Sequence, residues 1–300
     1  MYVILGATGN IGKEIVHRLL AKGEKVRAVG RNPEKLRALA AKGAETISAD
    51  LHDATALTNA LAGARAAFLM IPPNLTSPDY WEEQERFGEA IAAAAEKSKL
   101  QYAVVLSSIA GQVPSGTGPI AGLHRFEQKL NRIAALNALH LRPAFFMENN
   151  LMAVDMIPKM GVFASALLPD HMIPMIATHD VGAYAADRLL QLNFAGKQAQ
   201  DLLGERDLSM NGVTAIIGRA IGQPELRYVR VSYEQAHQAL MGMGVSAKTA
   251  DQFVEMYRGL DENIVVSEQP RSGASTTPTS FETFVQEVFL PAYRGKAASA

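Results

Sequence analysis

The chain has no cysteine among its 300 residues, which excludes disulfides, thiol catalysis and cysteine metal sites. Its seven histidines show no metal-ligand spacing, so no metal is expected. Neither sign of charge dominates: 29 Lys and Arg stand against 30 Asp and Glu. That balance gives no support to binding of nucleic acid or of a membrane surface. No apolar run approaches the length of a membrane span. The first apolar strand begins at residue 2 and leaves no room for a signal peptide, so a cytoplasmic location is expected. One further gap bears on chemistry: no tyrosine occurs between Tyr102 and Tyr184.

What is present starts at the first residues. Tyr2 to Leu5 reads as a buried strand that runs into Gly6-x-x-Gly9-x-x-Gly12 (GATGNIG), and Ile15, Val16, Leu19 and Leu20 follow at helical spacing. Strand, glycine turn and helix in that order make a dinucleotide site. Gly6 lets the chain turn sharply, Gly9 lets backbone approach a pyrophosphate, and Gly12 lets the helix pack close to the sheet. Thr8, Asn10 and Ile11 complete the turn, whose amides face the phosphates. The alternative is a tight turn without ligand.

The second strand, Lys25 to Val29, leads to Arg31, where dinucleotide folds meet the adenine ribose. A carboxylate there would bind the 2′-hydroxyl of NAD and repel a 2′-phosphate, whereas a guanidinium offers that phosphate a bidentate fork. NADP(H) is the expected cofactor, unless Arg31 is only a solvated surface arginine. Asn32 reads as the cap of a helix opening at Pro33-Glu34. Asp50, after the third strand, can accept from the adenine amino group or simply form a turn. Leu51, Ile71 and Pro72 are counted with it among the cofactor-binding residues.

Apolar strands alternate with helices through about residue 145. The candidate strands are Tyr2 to Leu5, Lys25 to Val29, Glu45 to Ser48, Ala66 to Ile71, Tyr102 to Ser107 and Leu139 to Leu141. A helix from about Trp81 to Lys97 puts Phe87, Ile91, Ala94 and Ala95 on one face. The fold class is α/β, a Rossmann doubly wound parallel sheet with a smaller mixed α/β C-terminal substrate lobe. Residues 1–152 are expected to form the Rossmann domain, with segments returning to it around 173–210. Residues 153–172 and 211–300 form the lobe, where Ile173 to Ala177 and Leu226 to Val231 read as strands and Val181 to Leu190 as a helix. Two stretches are rich in turn residues, Gly111 to Gly122 and Gln269 to Thr279. The first follows the fifth strand and is a candidate lid.

Together with Ser107-Ser108 and the segment Leu141-Arg-Pro-Ala-Phe-Phe-Met-Glu-Asn-Asn150, the GATGNIG and Arg31-Asn32-Pro33 motifs resemble those of the NmrA-like proteins, atypical short-chain dehydrogenase/reductases that bind NAD(P). His179-Asp180-Val181, Leu203-Gly204, Ile221-Gly222 and Thr277 to Phe284 also fit, so the resemblance spans nearly the whole chain. It implies a Rossmann domain interleaved with a small C-terminal lobe and a substrate cleft between them. The family includes NADPH-dependent quinone reductases, reductases of dyes, and catalytically silent redox sensors that regulate partner proteins.

Typical members of the parent superfamily carry a Tyr-x-x-x-Lys pair, because reducing a ketone creates an alkoxide that needs a proton. The corresponding helix here reads Leu123-His-Arg-Phe-Glu-Gln-Lys-Leu130. Leu123, Phe126, Leu130 and Ile133 would face the core, which leaves His124, Glu127 and Asn131 on another face. His124 reads either as a group that binds the nicotinamide ribose or protonates product, or as a surface histidine. Reduction of a quinone is less demanding, since a hydroquinone resembles phenol with a pKa of about 10 and water can complete the protonation. The missing tyrosine therefore argues against ordinary alcohol oxidation and suits quinones or other flat, electron-poor acceptors. Phe145, Phe146 and Met147 read as walls for such an acceptor, or as core. Asn149 reads as a hydrogen-bond partner of an acceptor oxygen or as a cap, and Ser107 and Ser108 as groups orienting nicotinamide or substrate or as turn formers. The expected function is NADPH-dependent reduction of a quinone-like acceptor by direct hydride transfer. The alternative is a non-catalytic NADP(H) sensor acting on a protein partner, and a homodimer stays open under either.

Overall fold

In the first strand, Val3 and Leu5 pack on one side of the sheet and Tyr2 and Ile4 on the other, all fully buried. A strand apolar on both faces needs helices above and below it, the condition of a parallel α/β sheet. The computed structural model describes residues 1–297. Its first part alternates regularly: β1 (Tyr2–Leu5), α1 (Asn10–Ala21), β2 (Val26–Gly30), α2 (Pro33–Ala40), β3 (Glu45–Ser48), α3 (Ala54–Leu61), β4 (Ala66–Leu69), α4 (Tyr80–Lys97), β5 (Tyr102–Leu106), α5 (Ile120–Asn131) and β6 (Asn137–Pro143). Then come β7 (Phe145–Phe146), a 3-10 turn over Met147–Met152, α6 (Ala153–Met160), β8 (Val162–Ser165), β9 (Ile173–Ile176), α7 (Thr178–Gln191), β10 (Lys197–Leu202), β11 (Asp207–Leu208) and α8 (Met210–Ala220). The chain continues through β12 (Arg227–Arg230), α9 (Tyr233–Gly242) and α10 (Ala247–Asp261) to a last helical stretch from Phe281.

Seven strands form one parallel sheet in the order β3-β2-β1-β4-β5-β6-β10. The order reverses between β1 and β4, and ligands of such sheets bind beyond the carboxyl ends of the strands at that point. Sequence reading missed β10. Its segment, Lys-Gln-Ala-Gln-Asp-Leu, sits at the sheet edge and buries only its last two residues, so it lacks an apolar signature. The strand at Ile173 lies outside this sheet, between β7 and β11, and β8 pairs with β12. The apolar residues of these small sheets and of the last helical stretch are continuous with the core beneath α1 and α7. A second core lies on the opposite face, under α3, α4 and α5.

One buried group on β6 makes stability depend on pH. His140 is 2% exposed, its Nε2 meets Asn131 Oδ1 at 2.8 Å, and burial holds its pKa down at about 4 against an ordinary 6.5. A histidine buried neutral must charge on unfolding, so its contribution is complete above pH 6.5 and is lost as pH falls from there toward 4. Between about pH 8 and about pH 5 the protein should lose roughly 2 kcal/mol more stability to urea than its His140→Gln variant. Equal losses in the two proteins would refute the assignment.

Candidate active site

The turn after β1 is built by three glycines with three different tasks. Gly6 takes φ +65°, and a side chain there would also meet Met70 Sδ at 2.7 Å. At Gly12 a Cβ would collide with the Gly6 carbonyl oxygen. Gly9 differs: it precedes α1 with an ordinary extended backbone, φ −81° and ψ 172°, and a Cβ there would meet only the Gly6 oxygen, at 3.4 Å. Two glycines are thus required by the protein itself, while the third leaves open space in front of the helix. No side chain caps α1, and its first turn carries no acid. Its free amides and the positive end of its dipole are left to an external anion.

A cavity of about 620 Å³ opens at this turn and extends over the carboxyl ends of β1, β4 and β5. Gly6, Gly9, Asn10, Ile11 and Gly12 line it, together with Ile71, Ser107 and Ser108. Phe145, Phe146 and Asn149 also line it, and Phe253, Met256 and Leu260 of α10, with Val265, complete the wall. That closing helix is fastened to the turn before α4. Ser246 Oγ donates to the Pro78 carbonyl at 2.8 Å, Thr249 Oγ1 to the Ser77 carbonyl at 3.0 Å, and Lys248 pairs with Asp79.

The structure brings eleven of the site residues singled out from sequence to this cavity: Gly6, Gly9, Asn10, Ile11, Gly12, Ile71, Ser107, Ser108, Phe145, Phe146 and Asn149. Ser107 Oγ is buried with no hydrogen-bond partner among the described residues. Others lie outside the lining. Arg31 is exposed just past β2, and Thr8 packs beside Gly30. Asp50 is exposed beyond β3, where it accepts from the His52 amide at 3.0 Å. That bond, together with the charges of His52 and Arg31, lowers its pKa although burial opposes this. Leu51 is 3% exposed in the core under α3 and α4, so its side chain is structural. Pro72 gives way to Pro73 in the cavity wall.

His124 is not brought to the cavity. Its Nδ1 donates to the Gly111 carbonyl at 2.9 Å, and Leu123 packs against the core as expected while also lining the cavity. Because α5 opens at Ile120, Ile120 and Leu123 present the turn that faces the cavity. Glu127, expected beside His124 on an outer face, is 1% exposed and grips Arg142 through two bonds of 3.0 and 2.7 Å. The second half of the segment Gly111 to Gly122 is packed into the protein, with Pro119 and Ile120 in the cavity wall. Residues 117–122 are buried, Trp81 Nε1 donates to the Gly118 carbonyl at 2.9 Å, and Gln84 Nε2 to that of Pro119 at 3.0 Å.

Sequence reading missed four polar residues of the lining: Tyr80 and Gln84, one turn apart on α4, and Glu148 and Thr178. Glu148 accepts from the Thr178 amide at 3.0 Å and from its hydroxyl at 2.5 Å, tying the 3-10 turn to the start of α7. Burial raises its pKa, Asp180 adds to the rise, and the Thr178 bonds oppose it. Among the described residues no cluster of side chains suits a metal ion, and no helix is long and apolar enough to cross a membrane.

Residues 2–285 match the family model of the NmrA-like family. The chain belongs to that family. Among its NmrA-like relatives is an NAD(P)H azoreductase of Xenophilus azovorans, 30% identical over 257 residues that make up 86% of each chain. An NADPH-dependent quinone oxidoreductase from Escherichia coli, solved with NADPH, superposes with a TM-score of 0.82 at 23% identity, covering 96% of this chain and all of that one. NmrA itself, a negative transcriptional regulator solved with NADP, gives 0.76 at 17% identity, covering 98% and 97%. At such identities the two structures establish a shared NmrA-like fold.

Proposed function

We propose that the protein is an NADPH-dependent reductase of a flat, electron-poor acceptor of the quinone class. The observation that carries this reading is one continuous cavity lined both by the uncapped, acid-free start of α1 and by a set of aromatic and aliphatic side chains. The residues present fit the cofactor, and the NAD(P)H azoreductase and the two proteins solved with NADPH and NADP support the same choice. The amides of Asn10 to Gly12 hold the pyrophosphate, and Arg31, which has no ion pair among the described residues, takes the 2′-phosphate. Asp50 stands by the adenine. Ser107 lines the cavity at the nicotinamide end. When bound, NADPH supplies a hydride. Phe145 and Phe146 hold the acceptor flat, Asn149 donates to it, and the apolar residues of α10 keep water away, so that positioning provides most of the rate.

The test is oxidation of NADPH and NADH, side by side, by a panel of simple quinones. Fast loss of NADPH with hydroquinone as product is expected. Arg31→Asp should raise the Kd of NADPH roughly thirtyfold, the worth of one charge-assisted hydrogen bond of about 2 kcal/mol, and that of NADH less than about threefold. Equal losses would remove Arg31 from the 2′-phosphate site. Tight binding of NADPH and NADP without turnover of any acceptor would overturn the reductase in favour of a sensor acting on a protein partner.

A further inference from the structure

The missing tyrosine has a counterpart in the cavity that comes from a different helix. Asp79 caps α4 by accepting from the Trp81 amide at 3.1 Å, which makes Tyr80 the first helical residue and directs its ring to the cavity wall. Tyr80 is 7% exposed, and its ring stands edge-on to Phe253 of α10 with centroids 5.6 Å apart. Buried tyrosine hydroxyls ordinarily find a partner. That of Tyr228 does, bonding the Leu167 carbonyl at 2.8 Å, and that of Tyr233 donates to Asp261 at 2.7 Å. The hydroxyl of Tyr80 has no such bond among the described residues, and it is not one of the solvent-sealed orphan atoms either. It remains accessible.

We propose that Tyr80 donates a hydrogen bond to a carbonyl oxygen of the acceptor and so selects oxygen-bearing quinones over acceptors that lack such an oxygen. This rests on the reading of the cavity as a quinone site. Gln84 is the positioning residue. Its Nε2 is tied to the Pro119 carbonyl, and its Oε1 lies against Gly122, where any Cβ would collide with it. The two contacts fix the register of α4 against the start of α5 and with it the place of the Tyr80 ring.

The chemistry assigned to Tyr80 differs from that of a tyrosine acid. Burial pushes its pKa up to about 12, so the hydroxyl stays protonated across the working range and always offers its hydrogen. Handing the proton to a hydroquinone anion, whose acid has a pKa of about 10, would be uphill. The two electrons and the first hydrogen reach the quinone as hydride from the reduced nicotinamide, which is oxidised, and the second hydrogen comes from water as a proton. Tyr80 keeps its own and stabilises the charge that develops on the oxygen.

Tyr80→Phe keeps the ring and removes only the hydroxyl. Because that group has no partner in the protein, the variant should fold with a Tm within about 2 °C of the parent. Two readings decide the proposal: the Kd of a naphthoquinone for the NADP-loaded protein, measured by calorimetry without turnover, and the ratio of kcat/KM for that quinone to kcat/KM for a triarylmethane cation, which has no carbonyl oxygen. The naphthoquinone Kd should rise about tenfold and the ratio should fall about tenfold, the worth of one hydrogen bond. An unchanged Kd, or equal losses with both acceptors, overturns the role of Tyr80, as does failure of the parent protein to bind the quinone. A parent that binds the quinone but never reduces it refutes the reductase reading alone, since the change in Kd still decides the hydrogen bond.

Discussion

Gly9→Val should leave the protein folded and abolish NADPH binding. The backbone at residue 9 is extended, φ −81° and ψ 172°, and open to any L-residue, and its nearest neighbour to a new Cβ is 3.4 Å away. The expected cost in stability is that of exchanging glycine for valine before a helix, about 1 kcal/mol. The space that valine takes is the space in front of the free amides of α1, where the phosphates must approach. A rise of more than ~100-fold in Kd is expected, read by nicotinamide fluorescence beside an unchanged circular dichroism spectrum. Gly12→Ala supplies the contrast: it collides with the Gly6 carbonyl and should damage the fold itself. NADPH binding retained in Gly9→Val would place the phosphates elsewhere.

The second large effect concerns Glu127. Its carboxylate and the Arg142 guanidinium are 1% and 6% exposed and bonded at both prongs. Glu268, half exposed, holds the remaining guanidinium nitrogen at 2.9 Å. Glu127→Ala leaves a buried cation with that one partner and should cost about 3 to 5 kcal/mol. In a protein whose whole stability is on the order of 5 to 15 kcal/mol this is a large share. Replacing both residues together by methionine should recover most of it, because the desolvation of both charges disappears with them. The checks are urea midpoints of the two variants and the parent. A loss below about 1 kcal/mol in Glu127→Ala would mean that Glu268 or water carries the cation.

How much could be read beforehand follows from the physics of each part. The glycine turn and strands β1 to β6 were legible because buried parallel strands and phosphate turns restrict residue type strongly. Strand β10 was not, since an edge strand with one covered neighbour tolerates polar residues. The helix after β5 misled in two places. Periodicity placed His124 and Glu127 together, but it does not tell which outward-looking face is covered by another part of the chain, and Arg142 was waiting under one of them. Tyr80 and Gln84 carried a weak signal: an Asp cap followed by an aromatic and a polar residue four apart. On an isolated helix that pattern describes a solvated face, and only the arrival of α10 from far along the chain turns it into a cavity wall.

The fastening of α10 to the turn before α4 joins residues about 170 positions apart, Ser77 with Thr249 and Pro78 with Ser246. The phosphate cradle, by contrast, is made within the first dozen residues. During synthesis the sequence of the glycine turn leaves the ribosome early, whereas the cavity lacks one of its walls until residues 246–265 have emerged. A chain still being made is thus unable to close its cavity, and the turn exists before the enclosure it opens into.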